Sequence, residues 1–220
     1  LVLLSISSTP SILMVSKLGD SLNFSSRTKI AIWFALVAVG VCGRLWQPAY
    51  NVTPFAAIGL AAGSLFGISL AAASVPIVAL VISNMVLPGY GSTIMTLVVY
   101  VSLACPVLFG GLVQRQGWIA VLGGSLASSL IFFITTNFAT WALSELYPHT
   151  LSGLTACYIA ALPFYRWMPV GDAVWSISLF STLVAVGRIQ QLVQPVQAIP
   201  VTTGHQQTVD RLTDEQRGRQ

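Results

Sequence analysis

Charge is what this sequence has least of. Charged side chains make up 7% of its 220 residues while hydrophobic ones make up 55%, and the mean hydropathy is +0.81. A soluble domain carries about 25% charged residues, so that class is excluded and an integral membrane protein is implied. The charges present are pushed to the ends. Residues 30 to 200 hold only Arg44, Arg115, Glu145, Arg166, Asp172 and Arg188.

Other absences narrow the reading further. The basic residues are scattered, and no cluster could track a phosphate backbone, so no nucleic-acid partner is expected. Cys42, Cys105 and Cys157 sit singly in separate apolar segments, without pairing or metal-ligand spacing, which gives neither a disulfide framework nor a metal site. The chain has two histidines, His149 and His205, and lacks HExxH, GxSxG, Walker and CxxC motifs. Ser152 near His149 has no evident orienting acid. The sequence is therefore not read as an enzyme, and no cofactor is expected.

What is there is apolar sequence in blocks. Bounded by charge, proline or glycine, the blocks predict spans at roughly 30–46, 54–70, 74–88, 93–113, 118–143 and 171–188, most of them near the ~20 residues that cross a bilayer core. A seventh block, LSGLTACYIAALPF at 151–164, is shorter and runs into Pro163. Positive charge settles its treatment. With the N-terminus inside, Lys17, Arg27, Lys29 and Arg115 fall on the cytoplasmic side, and Arg188 and the tail join them only if 151–164 does not cross. The expected fold is an all-α integral membrane protein of six transmembrane helices, N-in and C-in, with a short half-inserted helix at 151–164. Irregular backbone at that depth is tolerated where it borders a cavity.

Residues 1–28 read as a poorly ordered N-terminal segment, with Met14 a candidate start, residues 29–189 as the membrane domain, and 190–220 as a disordered polar cytoplasmic tail. No convincing internal repeat marks an inverted-repeat transporter.

Several residues stand out against this background. Gly59, Gly63 and Gly67 recur every fourth residue and predict a helix face for close packing. Ala31 and Ala35 form a small-residue pair on the first span that could dock another membrane protein. Asn84 and Asn137 place amides at membrane depth, where each must find a partner in a helix, a water or a ligand. Thr136, Asn137 and Thr140 occupy one helical arc, which Trp141 and Tyr158 could complete. Convergent polar groups in an apolar, aromatic surround are what a small-molecule site needs. Arg44, Glu145, His149, Arg166 and Asp172 map to the outer face, where snorkelling explains any one of them and Asp172 could cap the last helix. Together they would also suit a pocket mouth, with Arg44 meeting a carboxylate.

The stretches GRLWQPAYNVTPFAAIGLAAGSLFG, FFITTNFATW, YPHTLSGLTACYIAALPFYR and GDAVWSISLF, in that order, resemble an uncharacterised bacterial family of membrane proteins carrying a domain of unknown function (6580). That family in turn resembles the substrate-binding S components of energy-coupling-factor transporters. The resemblance covers roughly residues 30 to 187. It implies a six-helix fold with cytoplasmic termini in the bacterial inner membrane, uptake of a small, vitamin-like organic solute, and docking on a coupling transmembrane subunit with ATPases. Ala31 and Ala35 match the A-x-x-x-A docking motif. Asn84 stands where such proteins carry an acid, which speaks against a proton- or cation-linked role there, and no Met-His start marks a metal binder. The rival readings are a non-transporting scaffold or assembly protein and a self-contained secondary carrier.

Overall fold

The computed structural model describes residues 18–46 and 52–193; the candidate start at Met14 and the tail from 194 onward lie outside the described residues. Among them the protein is helical throughout. α1 is a single turn, Leu18–Ser21, followed by α2 (Ser26–Leu45), α3 (Phe55–Phe66), α4 (Leu70–Asn84) and α5 (Thr93–Ala104). A 3₁₀ turn, Cys105–Phe109, joins α5 to α6 (Gly110–Gln116), and α7 (Trp118–Leu143), α8 (Leu151–Tyr165) and α9 (Met168–Val193) complete the chain. A compact unit extends to Arg188; of the second unit, which begins at Ile189, residues 189–193 are described as the end of α9.

Hydroxyl caps start the helices. Ser25, Ser69, Ser92 and Thr150 each accept a backbone N–H from three residues on, at 3.3, 3.2, 3.1 and 3.2 Å, so four apolar helices begin with one of their orphan donors satisfied. Glycine ends two other helices. Gly67 and Gly117 take φ of 67° and 63°, the left-handed region that favours a residue without Cβ, and terminate α3 and α6.

Four stretches are long and apolar enough to cross a membrane, which marks a multi-pass membrane protein: Ser26–Leu45, Thr93–Gln116, Trp118–Leu143 and Met168–Val193. Their surfaces agree. Phe34, Leu97 and Ile119 are 64%, 62% and 79% exposed, as suits side chains that face lipid. The second of these stretches bends through the 3₁₀ turn because Pro106 has no N–H to continue the α-helical ladder.

Of the expected spans, 54–70 is realised as a shorter helix and 74–88 as one of the same length shifted towards the N-terminus. α3 has 12 residues and α4 has 15, below the ~20 of a perpendicular crossing. Gly67 is the reason for the first difference, since it stops α3 where the hydropathy continues. Ser69 then caps α4 four residues earlier than the sequence suggests. By contrast α7 keeps its predicted bounds, and α8 occupies the block expected at 151–164.

α3 forms the centre. Every residue from Phe55 to Leu65 is buried, with α2, α4, α6, α7 and the 3₁₀ turn around it. Its glycines make this possible. A Cβ on Gly59 would stand 2.9 Å from that of Pro106, one on Gly63 would strike the Val107 carbonyl, and one on Gly110 would strike the Gly63–Ser64 backbone. Gly67 belongs to the cap rather than to this seam, and nothing stands within 4 Å of where its Cβ would lie. Polar ties fix the remaining helices. Trp33 Nε1 on α2 donates to Ser74 Oγ on α4 at 3.0 Å, and Ser102 on α5 shares a proton with Thr135 on α7 at 2.7 Å. Residues 18–24 also pack inward, with Leu18, Leu22 and Phe24 buried and the Ser21 carbonyl against Gly187 of α9.

Candidate functional site

α2 delivers Arg44 in its last turn, where helix carbonyls favour a cation. The guanidinium lies 5.9 Å from the Phe55 ring centroid and 5.6 Å from that of Tyr90, and Nη2 donates to Tyr90 Oη. Nη1 is buried without a hydrogen-bond partner among the described residues. Tyr90 projects from the α4–α5 loop beside Gly91, whose φ of 79° permits the turn. Burial pushes the Tyr90 phenol above its ordinary range, while the Arg44 charge and hydrogen bond pull it down. Tyr90 thus remains a neutral phenol beside an always-charged guanidinium.

Two cavities of about 280 Å³ each adjoin at this point. The first is lined by Arg44, Thr53, Phe55, Leu87 and Pro88, the second by Met95, Phe133, Thr136, Asn137, Thr140 and Tyr165, and Tyr90, Val99, Phe132 and Met168 line both. Joined, they reach the lower part of the roughly 300–1,000 Å³ typical of small-molecule sites. A wider groove of about 800 Å³ opens on the outer surface between α4 and α5, lined by Ile77, Leu97, Val101 and Leu108 among others. Those four side chains are exposed, and the groove offers little polarity, so an acyl chain suits it better than a solute.

The wall from α7 is polar because Thr136, Asn137 and Thr140 repeat on one arc. Each is first satisfied by its own helix: Thr136 Oγ1 donates to the Phe132 carbonyl at 2.7 Å, Asn137 Nδ2 to Phe133 at 2.8 Å and Thr140 Oγ1 to Thr136 at 2.9 Å. The two hydroxyl protons are committed, so Thr136 and Thr140 present acceptor oxygens to the cavity, while Asn137 keeps Oδ1 as an acceptor and the second N–H of its amide as a donor. The arrangement therefore offers a cationic donor at one end and acceptors at the other, with Phe132, Val99 and Met168 between.

The structure separates the other candidate residues from this wall. Trp141 donates from Nε1 to the Pro148 carbonyl at 3.0 Å and meets the His149 ring edge-on at 5.7 Å, which pins the α7–α8 loop. Tyr158 donates to the Ile134 carbonyl at 2.8 Å and packs its ring 5.6 Å from Phe133, supporting the wall from behind. Asn84 donates to Tyr100 Oη at 2.8 Å, tying α4 to α5, with Oδ1 buried and unpaired among the described residues. Ala31 and Ala35 are both exposed on α2, next to exposed Ile30 and Phe34.

A family model described as a family of unknown function, DUF6580, matches residues 24–196. The chain belongs to the DUF6580 family. The match takes in α2 to α9, and with them both cavities of this DUF6580 protein. No curated protein and no solved structure matches the chain.

Two features of the DUF6580 chain escaped sequence reasoning. Tyr90 lies in a Pro-Gly-Tyr-Gly-Ser loop that carries no chemical motif, and only folding brings it to Arg44. Asp172, grouped above with the outer-face charges as a cap, is the fifth residue of α9 and 2% exposed. Its Oδ2 lies in hydrogen-bond contact with Ser129 Oγ at 2.5 Å, midway along α7. The run of serines at 125, 128 and 129 was the available signal. Among the described residues, no group of three or more His, Cys, Asp or Glu could hold a metal ion.

Proposed function

We propose that the protein is a non-enzymatic, S-component-like binding subunit for uptake of a small, vitamin-like organic solute across the bacterial inner membrane. The observation that carries this reading is the pair of adjoining cavities, one lined by Arg44, whose Nη1 has no partner among the described residues, and the other by Thr136, Asn137 and Thr140. In this reading the solute presents an anionic group to Arg44 and Tyr90, and N–H or O–H donors to Thr136, Asn137 and Thr140. The chain makes six passes with both termini in the cytoplasm, α8 being the half-inserted segment. Because α3 is wholly enclosed, its passage is one through protein rather than lipid, which relaxes the length a span otherwise needs. Exposed Ala31 and Ala35 on α2 form the docking face for a coupling transmembrane subunit with ATPases, and the chain itself supplies no nucleotide motif.

One observation favours a scaffold instead: the α7 threonines and Asn137 bond within their own helix and do not require a ligand. Native mass spectrometry of gently extracted protein separates the two. A retained small molecule with co-purified ATPases is the expected result; empty protein with a partner lacking ATPases would overturn the transport reading. Gradient-driven flux in liposomes from this chain alone would make it a secondary carrier.

A further inference from the structure

Asp172 and Ser129 join α9 to α7 inside the membrane domain, and these two helices carry three more buried serines. Ser125, Ser128 and Ser176 are all under 5% exposed, and Ser176 Oγ donates to Ser125 Oγ at 3.3 Å. No basic side chain among the described residues pairs with this carboxylate. The titratable group that faces it from a neighbouring helix is Tyr165 of α8, while the Arg44 guanidinium is turned to Tyr90. An isolated carboxylate in such a place is expensive to keep ionised, and in membrane proteins buried acids recur as proton carriers.

The hydrogen-bond count points the same way. Ser129 Oγ lies 2.5 Å from Asp172 Oδ2 and 3.2 Å from the Ser125 carbonyl, and both of these are acceptors when the acid is ionised. A hydroxyl has a single proton, so it cannot donate to both. If Asp172 is protonated, its O–H donates to Ser129 Oγ and the Ser129 proton serves Ser125. Both contacts are then made, in one direction.

We propose that Asp172 is a reversible proton-binding site, occupied at neutral pH and exchanging with solvent that enters the cavity edged by Tyr165 and Met168. On release the Oδ2–H bond breaks, the proton leaves with a water, and Ser129 rotates its own proton from the Ser125 carbonyl to the new carboxylate. Met168, one turn before Asp172 on α9, and Tyr165, the phenol that faces the carboxylate, both line the second cavity. The inference does not depend on which solute, if any, the cavity holds.

Infrared difference spectroscopy of the full chain in lipid nanodiscs, titrated from neutral to alkaline pH, tests it. The wild type should show a protonated-carboxyl C=O band at neutral pH that shifts in D₂O and vanishes on alkalinisation. Asp172→Asn should lack the band, and Ser129→Ala should move it to higher frequency through the lost hydrogen bond. The proposal is overturned by absence of the band at neutral pH, by its survival in Asp172→Asn, or by its failure to shift in D₂O. If Asp172→Asn does not fold, Ser129→Ala decides, and an unmoved band there refutes the assignment.

Discussion

Arg44 and Tyr90, 46 residues apart, meet where the two cavities adjoin, the guanidinium donating to the phenol while its second amino group has no partner among the described residues. A buried donor left in that state is an affinity reserve for an anion. Arg44→Gln should lower retention of a co-purifying anionic solute at least tenfold, in line with the roughly 1.5–3 kcal/mol of a hydrogen bond to a charged group. Quantitative native mass spectrometry of wild type and variant reads this, and equal retention would remove Arg44 from the site.

Asn137 and Tyr158 make an opposed pair. Asn137→Ala takes an acceptor from the cavity wall and should weaken solute retention several-fold while leaving the melting temperature nearly unchanged, because its amide bonds only within α7. Tyr158→Phe removes a tie between α8 and α7 and should cost about 1 kcal/mol of stability without affecting retention. Thermal unfolding in detergent and solute retention, measured on the same samples, distinguish the two; the reverse pattern would exchange their roles.

Gly63→Ala should be among the most damaging small substitutions in the chain. The added methyl meets the Val107 backbone carbonyl, which has no flexible end to move, and overpacking of this kind costs about 1–3 kcal/mol or more. Gly67→Ala meets open space and bears only the strain of positive φ, about 1 kcal/mol. The ranking of their melting temperatures checks this.

Ala35→Trp adds bulk to an exposed face of α2 and should leave stability and solute retention unchanged. If α2 docks a coupling subunit, the variant should lose that subunit on co-purification. Retention of the subunit would move the docking face elsewhere.

The run of apolar residues from Trp118 to Leu143 was readable as one helix because nothing in it interrupts the ladder, and the polar arc at 136, 137 and 140 was readable because helical spacing puts those positions side by side. α3 was readable as a helix but not in extent: its glycines look alike in sequence, while the fold sets Gly59 against the Pro106 ring, Gly63 against the Val107 backbone and Gly67 in a left-handed cap. Trp141, Tyr158 and Asn84 carry the same polar handles as true wall residues. Whether such a handle meets a cavity or a neighbouring carbonyl depends on a partner helix far away in the chain.

Hydropathy and spacing determine by themselves that this protein lives in a membrane, is built from helices and carries polar groups on one face of α7, since those properties follow from the local periodicity of the chain and the cost of bare polar backbone in lipid. Only tertiary structure decided that Arg44 meets Tyr90 and that Asp172 lies against Ser129. Each of those contacts joins residues 43 or more positions apart, and local periodicity says which face a side chain occupies but not which distant side chain that face will meet.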